Sequence, residues 1–379
     1  MTINTKIYFP NLNGLRFIAA FMVIIHHLEQ ILTFFGLENY WDNPIILIIG
    51  GLGLELFFVL SGFLISYLLF TEEKNTSTIS IKDFYIRRVL RIWPLYYFIG
   101  ILAFFILPQF NLFDIPYISK HLTENFSLSL LLFVFFLPNL LLYGYGIIVP
   151  YASQSWSVGV EEQFYIIWPF LIKYFKNKLL TLFLVIFIYL FIQSIVFPFL
   201  KHFIFWNQEL EMFRQVWTNF HIQCMAIGGV FAWIYFTKHK YLKFLCNNLV
   251  YITTLLLTFI VIIFSINLPF LNNEVHALLF GIIILNLVSS KTKGLFLENS
   301  IFNFLGKISY GIYMYHIIAI VLCIKLFWYF NILEYHLLLA VSSLSLTIIL
   351  ASVSYQFIEK RFISLKSKYS NVISGENAK

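Results

Sequence analysis

The chain has 379 residues, of which 60% are hydrophobic and only 11% are charged, and its formal net charge is +7. A soluble domain carries about 25% charged residues, so this composition excludes a water-soluble protein. Long apolar runs without strand-like alternation also exclude a transmembrane β-barrel. The composition predicts an all-α, polytopic integral membrane bundle.

Eleven apolar runs of spanning length follow one another along the chain. They lie at residues 14–36, 46–70, 89–108, 127–148, 157–175, 179–200, 220–237, 249–268, 275–290, 309–330 and 335–357. If all eleven crossed the membrane, most basic loops would lie outside the cell. That arrangement opposes the positive-inside rule.

A re-entrant or broken segment at 127–148 removes this conflict. All but four of the 25 Lys and Arg residues then lie in the cytoplasm. Pro138, Asn139, Gly144 and Gly146 suit such a segment, because these residue types are common where helices break. We therefore predict about ten transmembrane helices and one re-entrant or broken segment in the cytoplasmic (inner) membrane, with both termini cytoplasmic.

The basic residues lie in short loops that orient membrane helices, so they predict no nucleic-acid partner. Three cysteines, Cys224, Cys246 and Cys323, show neither CxxC nor His/Cys spacing. The sequence therefore predicts no metal site.

The first span carries ionisable side chains, which are costly inside a bilayer and indicate function. Arg16 and His27 are eleven positions apart, so they share a helix face about 16 Å apart along the axis. A neutral imidazole can take a proton from a hydroxyl, which makes His27 a candidate general base. The alternative is that Arg16 reaches the membrane interface and His27 hydrogen-bonds a neighbouring helix.

The second span combines small residues with one carboxylate. Residues 50–63 read GGLGLELFFVLSGF, and their glycines allow close helix packing. Glu55 is the carboxylate of this stretch, and we expect it to bind Arg16, a histidine or water. Ser61 is a further candidate site residue in the same stretch.

Three arginines stand at the start of the third span. Arg87, Arg88 and Arg91 are spaced so that all can project from one side of a helix. Guanidinium groups bind phosphate oxygens in bidentate fashion, which predicts a site for a phosphorylated ligand. The alternative is an orientation anchor on anionic lipid headgroups.

Two later segments carry polar groups on predicted helices. Glu161 and Glu162 are adjacent, so one can face a cavity while the other stabilises the helix N-terminus. Ser309, Tyr313 and His316 form a polar stripe on one helix face, which we expect to face the bundle interior.

In this order, the segments resemble the bacterial membrane-bound acyltransferase family 3, which includes O-antigen and exopolysaccharide O-acetyltransferases. The resemblance covers residues 11–362. It is carried by LNGLR at 12–16 with the following His27, and by motifs at 56–65, 88–94, 156–165, 305–316 and 355–360.

The resemblance implies transfer of an acyl group, usually acetyl from cytoplasmic acetyl-CoA, to a hydroxyl of a cell-surface polysaccharide or its lipid-linked precursor. It implies that His27 is the catalytic base, that Arg16 is its required partner, and that Arg88 and Arg91, next to Arg87, engage the acyl donor. The motifs supply further candidate residues: Glu55, Ser61, Glu161, Glu162, Tyr313 and His316.

We expect a membrane acyltransferase domain at 1–362, a short polar cytoplasmic tail at 363–379, and no fused esterase-like domain. The expected partners are acyl-CoA, a glycan or lipid-linked glycan acceptor and membrane lipid; a homo-oligomer is left open. One alternative is acylation of a small hydrophobic acceptor such as a macrolide or a lipid. Another is a transporter or flippase that forms no covalent bond.

Overall fold

The computed structural model describes residues 5–203, 206–290, 293–370 and 372–374. These residues are mostly helical, so the predicted all-α membrane fold is confirmed. The α-helices are α1 (Leu12–Phe34), α2 (Pro44–Thr76), α3 (Ile81–Ile101), α4 (Ile118–Glu124), α5 (Phe126–Val134), α6 (Trp156–Tyr174), α7 (Lys178–Phe191), α8 (Phe197–Phe203), α9 (Gln208–Thr218), α10 (Ile222–Phe236), α11 (Tyr241–Leu245), α12 (Asn248–Ile263), α13 (Asn272–Ser289), α14 (Ser300–Lys307), α15 (Ser309–Tyr329), α16 (His336–Ser354) and α17 (Lys360–Leu365).

Short turns of other helical geometry extend or join these helices. π-Helical turns lie at Leu102–Ile106, Leu140–Gly144, Ile192–Val196 and Tyr355–Glu359. 3₁₀ turns lie at Leu107–Gln109, Asn111–Phe113, Ser153–Ser155, Leu295–Glu298 and Lys366–Tyr369.

Seven helical stretches among the described residues are long and apolar enough to cross a membrane. The longest single helix, α2, has 33 residues and is therefore about 50 Å long, well beyond the hydrocarbon core of about 30 Å. Three further predicted crossings correspond to α6, α10 and α12, which have 19, 15 and 16 residues. The count of ten crossings stays a prediction.

The segment 127–148 is broken, as predicted. α5 ends at Val134, Phe136 has a positive φ of 59°, and a π-helical turn begins at Leu140. α5 has nine residues and is about 13 Å long, too short to cross the hydrocarbon core alone.

The core of the bundle forms where glycines let helices approach. A Cβ atom added to Gly62 of α2 would lie 1.9 Å from the Met225 carbonyl oxygen of α10, and one added to Gly228 would lie 2.2 Å from the Val59 oxygen. The close packing predicted for the second span is therefore confirmed at Gly62. α15 is the most enclosed of the seven apolar stretches, and its Ser309, Tyr313 and His316 are buried as predicted.

The two ends of the described chain lie on the same side of the bundle. Strand β1 (Thr5–Ile7) pairs in parallel with strand β2 (Val372–Ser374), with Thr5 opposite Val372. An even number of crossings follows from this pairing, in agreement with ten and not with eleven. Part of the predicted tail, residues 372–374, is thus paired with the N-terminal segment; residues 371 and 375–379 lie outside the described residues.

Candidate active site

A cavity of about 200 Å³ lies where α1 and α3 begin. We call it the basic cavity. Its charged and hydroxyl-bearing lining residues are Tyr8, Arg16, Ser61, Arg88, Arg91, Ser157, Glu161, Tyr165, Ser309, Tyr310, Tyr313 and Lys366.

The lining of the basic cavity carries excess positive charge. Arg16, Arg88, Arg91 and Lys366 face one carboxylate, that of Glu161, among the described lining residues. Because charge is costly to hold away from water without a partner, such a wall favours an anionic ligand. Phosphate groups match guanidinium geometry well.

Arg88 is the most enclosed of these cations. Its guanidinium lies 5.6 Å from the ring centres of both Phe84 and Tyr165. In the described part of the chain its buried Nε atom has no hydrogen-bond partner. The hydroxyls of Ser61 and Tyr165 are 2.6 Å apart beside it. Arg88 is therefore held by aromatic rings, and its buried Nε donor is left without a hydrogen-bond partner.

The structure does not bring Arg87 into the basic cavity. Its Nη2 donates to Glu72 at 2.8 Å and its Nη1 donates to the Tyr369 carbonyl at 2.7 Å. The Glu72 carboxylate also accepts from the backbone N–H of Ser80 at 3.0 Å. Arg87 thus ties α3 to the end of α2 and to the C-terminal segment.

A second cavity, of about 800 Å³, opens at the opposite end of the bundle. We call it the polar cavity. Its polar lining residues are His26, His27, Gln30, Glu55, Tyr143, Tyr151, Ser153, Gln154, Trp156, Thr218, Asn219, His221, Ser265, Asn267, Asn272, Asn273 and His276.

Helix direction places the two cavities at opposite ends. α1 begins near Arg16, which lines the basic cavity, and its last turns carry Gln30 and Phe34, which line the polar cavity. α2 runs the other way and begins at Pro44 on the polar cavity. Leu54 lines both cavities, so only a thin layer of side chains separates them.

His27 and His316 meet in this layer. His27 Nδ1 lies 2.8 Å from His316 Nε2, and the two rings are stacked with centres 4.9 Å apart. His27 lines the polar cavity, whereas His316 is fully buried on α15. The structure therefore brings into contact His27 and His316, which are separate candidates in the sequence.

The hydrogen-bond partners assign the protons on this pair. His316 Nδ1 lies 2.5 Å from the Tyr313 carbonyl oxygen, which only accepts, so this nitrogen carries a proton. In a neutral His316 the Nε2 atom then accepts, and His27 Nδ1 donates to it. The lone pair of a neutral His27 is left on Nε2, which is the state a general base needs.

Tyr313 lies on the side of this layer that faces the basic cavity, which it lines. Its hydroxyl donates to the Gln154 carbonyl at 2.7 Å and lies 2.7 Å from the Ser157 hydroxyl. These bonds connect α15 to the start of α6 and fix the backbone carbonyl that orients His316.

The two adjacent glutamates diverge. Glu161 lines the basic cavity, while Glu162 accepts from the Trp93 indole at 3.2 Å and lines neither cavity. The first turn of α6 contains no acidic residue, so the alternative of a helix-stabilising carboxylate is wrong.

Glu55 binds a histidine, one of the three expected partners. Its carboxylate accepts from His276 Nδ1 at 2.8 Å, and both side chains are buried on the polar cavity. Sequence reasoning missed His276, although it is an ionisable residue within the apolar run 275–290. It also missed Lys366, which no sequence signal separates from the other basic residues near the C-terminus.

Arg16 and His27 do not touch: Arg16 faces the basic cavity and donates to Asn13 Oδ1 at 3.3 Å. Among the described residues, no group of three or more His, Cys, Asp or Glu side chains is arranged to hold a metal ion.

Comparison with known proteins shows the family of this chain. The sequence model of an acyltransferase domain matches residues 9–355, which include the residues that line the two cavities except Tyr8 and Lys366 among those named above. Peptidoglycan O-acetyltransferase OatA of Listeria monocytogenes is 33% identical over 190 residues, or 47% of this chain and 27% of that protein.

Two longer alignments cover nearly the whole chain. YrhL of Bacillus subtilis, provisionally named a peptidoglycan O-acetyltransferase, is 27% identical over 93% of this chain and 54% of its own length. A Staphylococcus aureus protein provisionally named an O-acetyltransferase is 26% identical over 94% of this chain and 57% of its own length. The chain thus spans little more than half the length of these relatives. No solved structure matches it.

Proposed function

This chain belongs to the acyltransferase domain family, and from that premise we propose that it transfers acetyl from acetyl-CoA to a hydroxyl of a cell-surface glycan or its lipid-linked precursor. Its relatives support a membrane O-acetyltransferase. The observation that carries the finer proposal is the position of His27, which lines the polar cavity and contacts His316, whose own partner Tyr313 lines the basic cavity at the opposite end.

The basic cavity fits the phosphates of the donor. Arg16, Arg88, Arg91 and Lys366 supply the cations, and Glu161 limits the excess charge. Arg16 lies eleven residues before His27 on α1, about 16 Å along the axis. An extended pantetheine arm has a comparable length, so a thioester anchored at the arginines can reach the layer that holds His27.

The polar cavity fits the acceptor. Amides, hydroxyls and the aromatic rings of Tyr143 and Trp156 line it, and these groups suit a sugar. The topology predicted from the positive-inside rule has most Lys and Arg residues in the cytoplasm, so the basic cavity faces the cytoplasm in this proposal. The polar cavity then faces outward, where a surface glycan is found.

The chemistry follows from the assigned protons. His27 Nε2 takes the proton of the acceptor hydroxyl, the oxygen attacks the thioester carbonyl, and the C–O bond forms as the C–S bond breaks. The proton then passes from His27 to the departing thiolate, giving CoA and an acetyl ester. His316 Nε2 accepts from His27 Nδ1 throughout and stabilises the imidazolium, as the third member of a catalytic triad does.

A transporter or flippase also has cavities at two ends, and a small hydrophobic acceptor also carries a hydroxyl. Covalent labelling of the acceptor distinguishes an enzyme from a transporter or flippase. The identity of the labelled acceptor distinguishes glycan acylation from acylation of a small hydrophobic molecule. The test uses purified protein in liposomes with labelled acetyl-CoA and a surface glycan. We expect label on the glycan with the wild type and none with His27→Ala. Glycan that crosses the bilayer without label would contradict the proposal.

A further inference from the structure

The Glu55 and His276 pair lies in the polar cavity but takes no part in the proton transfer described above. Both side chains are more than nine-tenths buried, at 5% and 3% exposure. The Nε2 atom of His276 is buried and has no hydrogen-bond partner among the described residues. A buried polar atom without a partner costs free energy unless a ligand satisfies it.

The pair can only be satisfied by particular groups. His276 Nδ1 donates to the Glu55 carboxylate, so a neutral His276 presents the Nε2 lone pair. The carboxylate presents further lone pairs. Both therefore accept hydrogen bonds, and a hydroxyl or amide N–H is the matching ligand group, whereas a carboxylate or phosphate is repelled.

The rest of the lining of the polar cavity also favours an uncharged ligand over an anionic one. Glu55 is the one acidic side chain among its described lining residues, and these include no Lys or Arg. Glu274 lies two residues before His276 in the first turn of α13 and adds negative charge at this end of the helix. An anionic acceptor would find no counter-charge on this lining.

Two cations on helices that border the polar cavity, α9 and α15, are already engaged. On α9, Arg214 Nε donates to Glu211 at 3.0 Å. Hydrogen bonds to Glu211, chiefly those from Arg214, lower the pKa of its carboxyl to about 2. The Lys325 ammonium lies 5.1 Å from the centre of the Phe35 ring. Neither Arg214 nor Lys325 lines the polar cavity.

The pair is also at a useful distance from the reacting centre. Gly50 of α2 packs against the His26 ring, next to His27. Glu55 is five residues farther along α2, about 7 Å along the axis. His27, Glu55 and His276 line the same cavity at an axial offset comparable to the size of a sugar ring, which suits one sugar with one hydroxyl at His27 and another at the pair.

We propose that Glu55 and His276 form a hydroxyl-binding subsite that selects an uncharged, hydroxyl-rich acceptor sugar and positions it for acetylation at His27. This inference rests on the proposed function and refines its acceptor. Glu55 and His276 are positioning residues, because they touch the acceptor away from the reacting hydroxyl.

The test measures initial rates in liposomes with acetyl-CoA and two acceptors. One is a neutral β-1,4-linked glucose oligosaccharide, and the other is the same oligosaccharide oxidised at C6 to the uronate. For Glu55→Gln and His276→Gln we expect the KM of the neutral acceptor to rise about tenfold to a hundredfold, the usual cost of losing a hydrogen bond to a charged group. We expect the KM of acetyl-CoA to stay unchanged.

Matched controls separate this role from a structural one. Glu73→Gln alters a carboxylate that pairs with Lys178 at 2.8 Å outside both cavities, and His202→Gln alters an exposed ring. Both controls should keep the wild-type KM for the acceptor. A general packing defect in a test variant would instead change the KM of acetyl-CoA as well.

The outcomes are distinct. The wild type should prefer the neutral acceptor by about tenfold or more in kcat/KM, as expected for one unpaired buried charge. Equal use of the uronate, or an unchanged acceptor KM in both test variants, overturns the subsite while the enzyme remains an acetyltransferase. If the wild type labels the surface glycan but acetylates neither oligosaccharide, the subsite is overturned while the proposed function stands; if it labels no glycan at all, the proposed function fails and the subsite with it.

Discussion

The Nε2 atom of His316 lies 2.8 Å from the Nδ1 atom of His27, joining the central helix α15 to the first helix of the bundle. The Tyr313 carbonyl holds His316 in the tautomer that accepts from His27. The tautomer of His27 is therefore fixed by a residue nearly 300 positions away in the sequence.

Replacing His316 tests this relationship. In His316→Phe the ring volume is kept but the acceptor nitrogen is lost, so His27 has no partner that fixes its tautomer. We expect kcat to fall by about a hundredfold to ten-thousandfold, the upper value being the loss when the residue that orients the histidine of a catalytic triad is replaced, with little change in the KM of acetyl-CoA. The rate of acetyl transfer to glycan in liposomes measures this. His202→Phe, in an exposed ring, is the control and should be neutral; wild-type kcat in His316→Phe would exclude a role for the pair.

Substitution of Arg88 and substitution of Arg87 should have different effects, although the two residues are adjacent in the sequence. Arg88→Ala removes a cation from the basic cavity, so we expect the KM of acetyl-CoA to rise and its dependence on salt to weaken. Arg87→Ala breaks the buried pair with Glu72, so we expect a loss of about 3–5 kcal/mol in the free energy of unfolding.

Donor KM and thermal unfolding in detergent check the two arginines independently. A large rise of the donor KM in a stable Arg87→Ala protein would show that this residue binds the donor after all. An unchanged donor KM in Arg88→Ala would remove it from the site.

Lys366 lines the basic cavity, the proposed donor site, and lies beyond the region that the family model matches. Lys366→Ala should raise the KM of acetyl-CoA severalfold, because one of four cations on the basic cavity is lost. Lys368→Ala, an exposed lysine of the same 3₁₀ turn, is the control. Equal effects of the two substitutions would mean that Lys366 contributes only general charge.

The packing of α2 on α10 should depend on Gly62. In Gly62→Ala the new Cβ meets the Met225 backbone at 1.9 Å, so the helices must separate and the protein should lose much of its stability. Gly51→Ala, where a Cβ meets nothing within 4 Å, is the control. Thermal unfolding in detergent compares them; equal midpoints would contradict the close contact.

The sequence could predict those site residues that are recognisable because an ionisable side chain is costly to bury in an apolar helix. Arg16, His27, Glu55 and His316 are ionisable groups in apolar runs, and their cost in a bilayer makes them stand out. The same criterion applied to His276 would have found it.

The sequence could not predict which face of α3 each arginine uses. Consecutive helix residues point about 100° apart. Arg87 points away from the basic cavity because it forms a hydrogen bond with Glu72 of α2. Lys366 reaches the basic cavity through the turn that leads to β2, and that contact depends on the paired chain ends. Partners on other helices decide both cases, and no local pattern records them.

The measurement that tests the central claim most directly is mass spectrometry of the surface glycan from cells that carry either the wild-type protein or His27→Ala. Membrane levels of the two proteins are matched by immunoblot, and His202→Ala serves as the control. The account predicts that the mass of one acetyl group per modified sugar disappears with His27→Ala and persists with the control. Normal acetylation by a stably inserted His27→Ala protein would contradict the account.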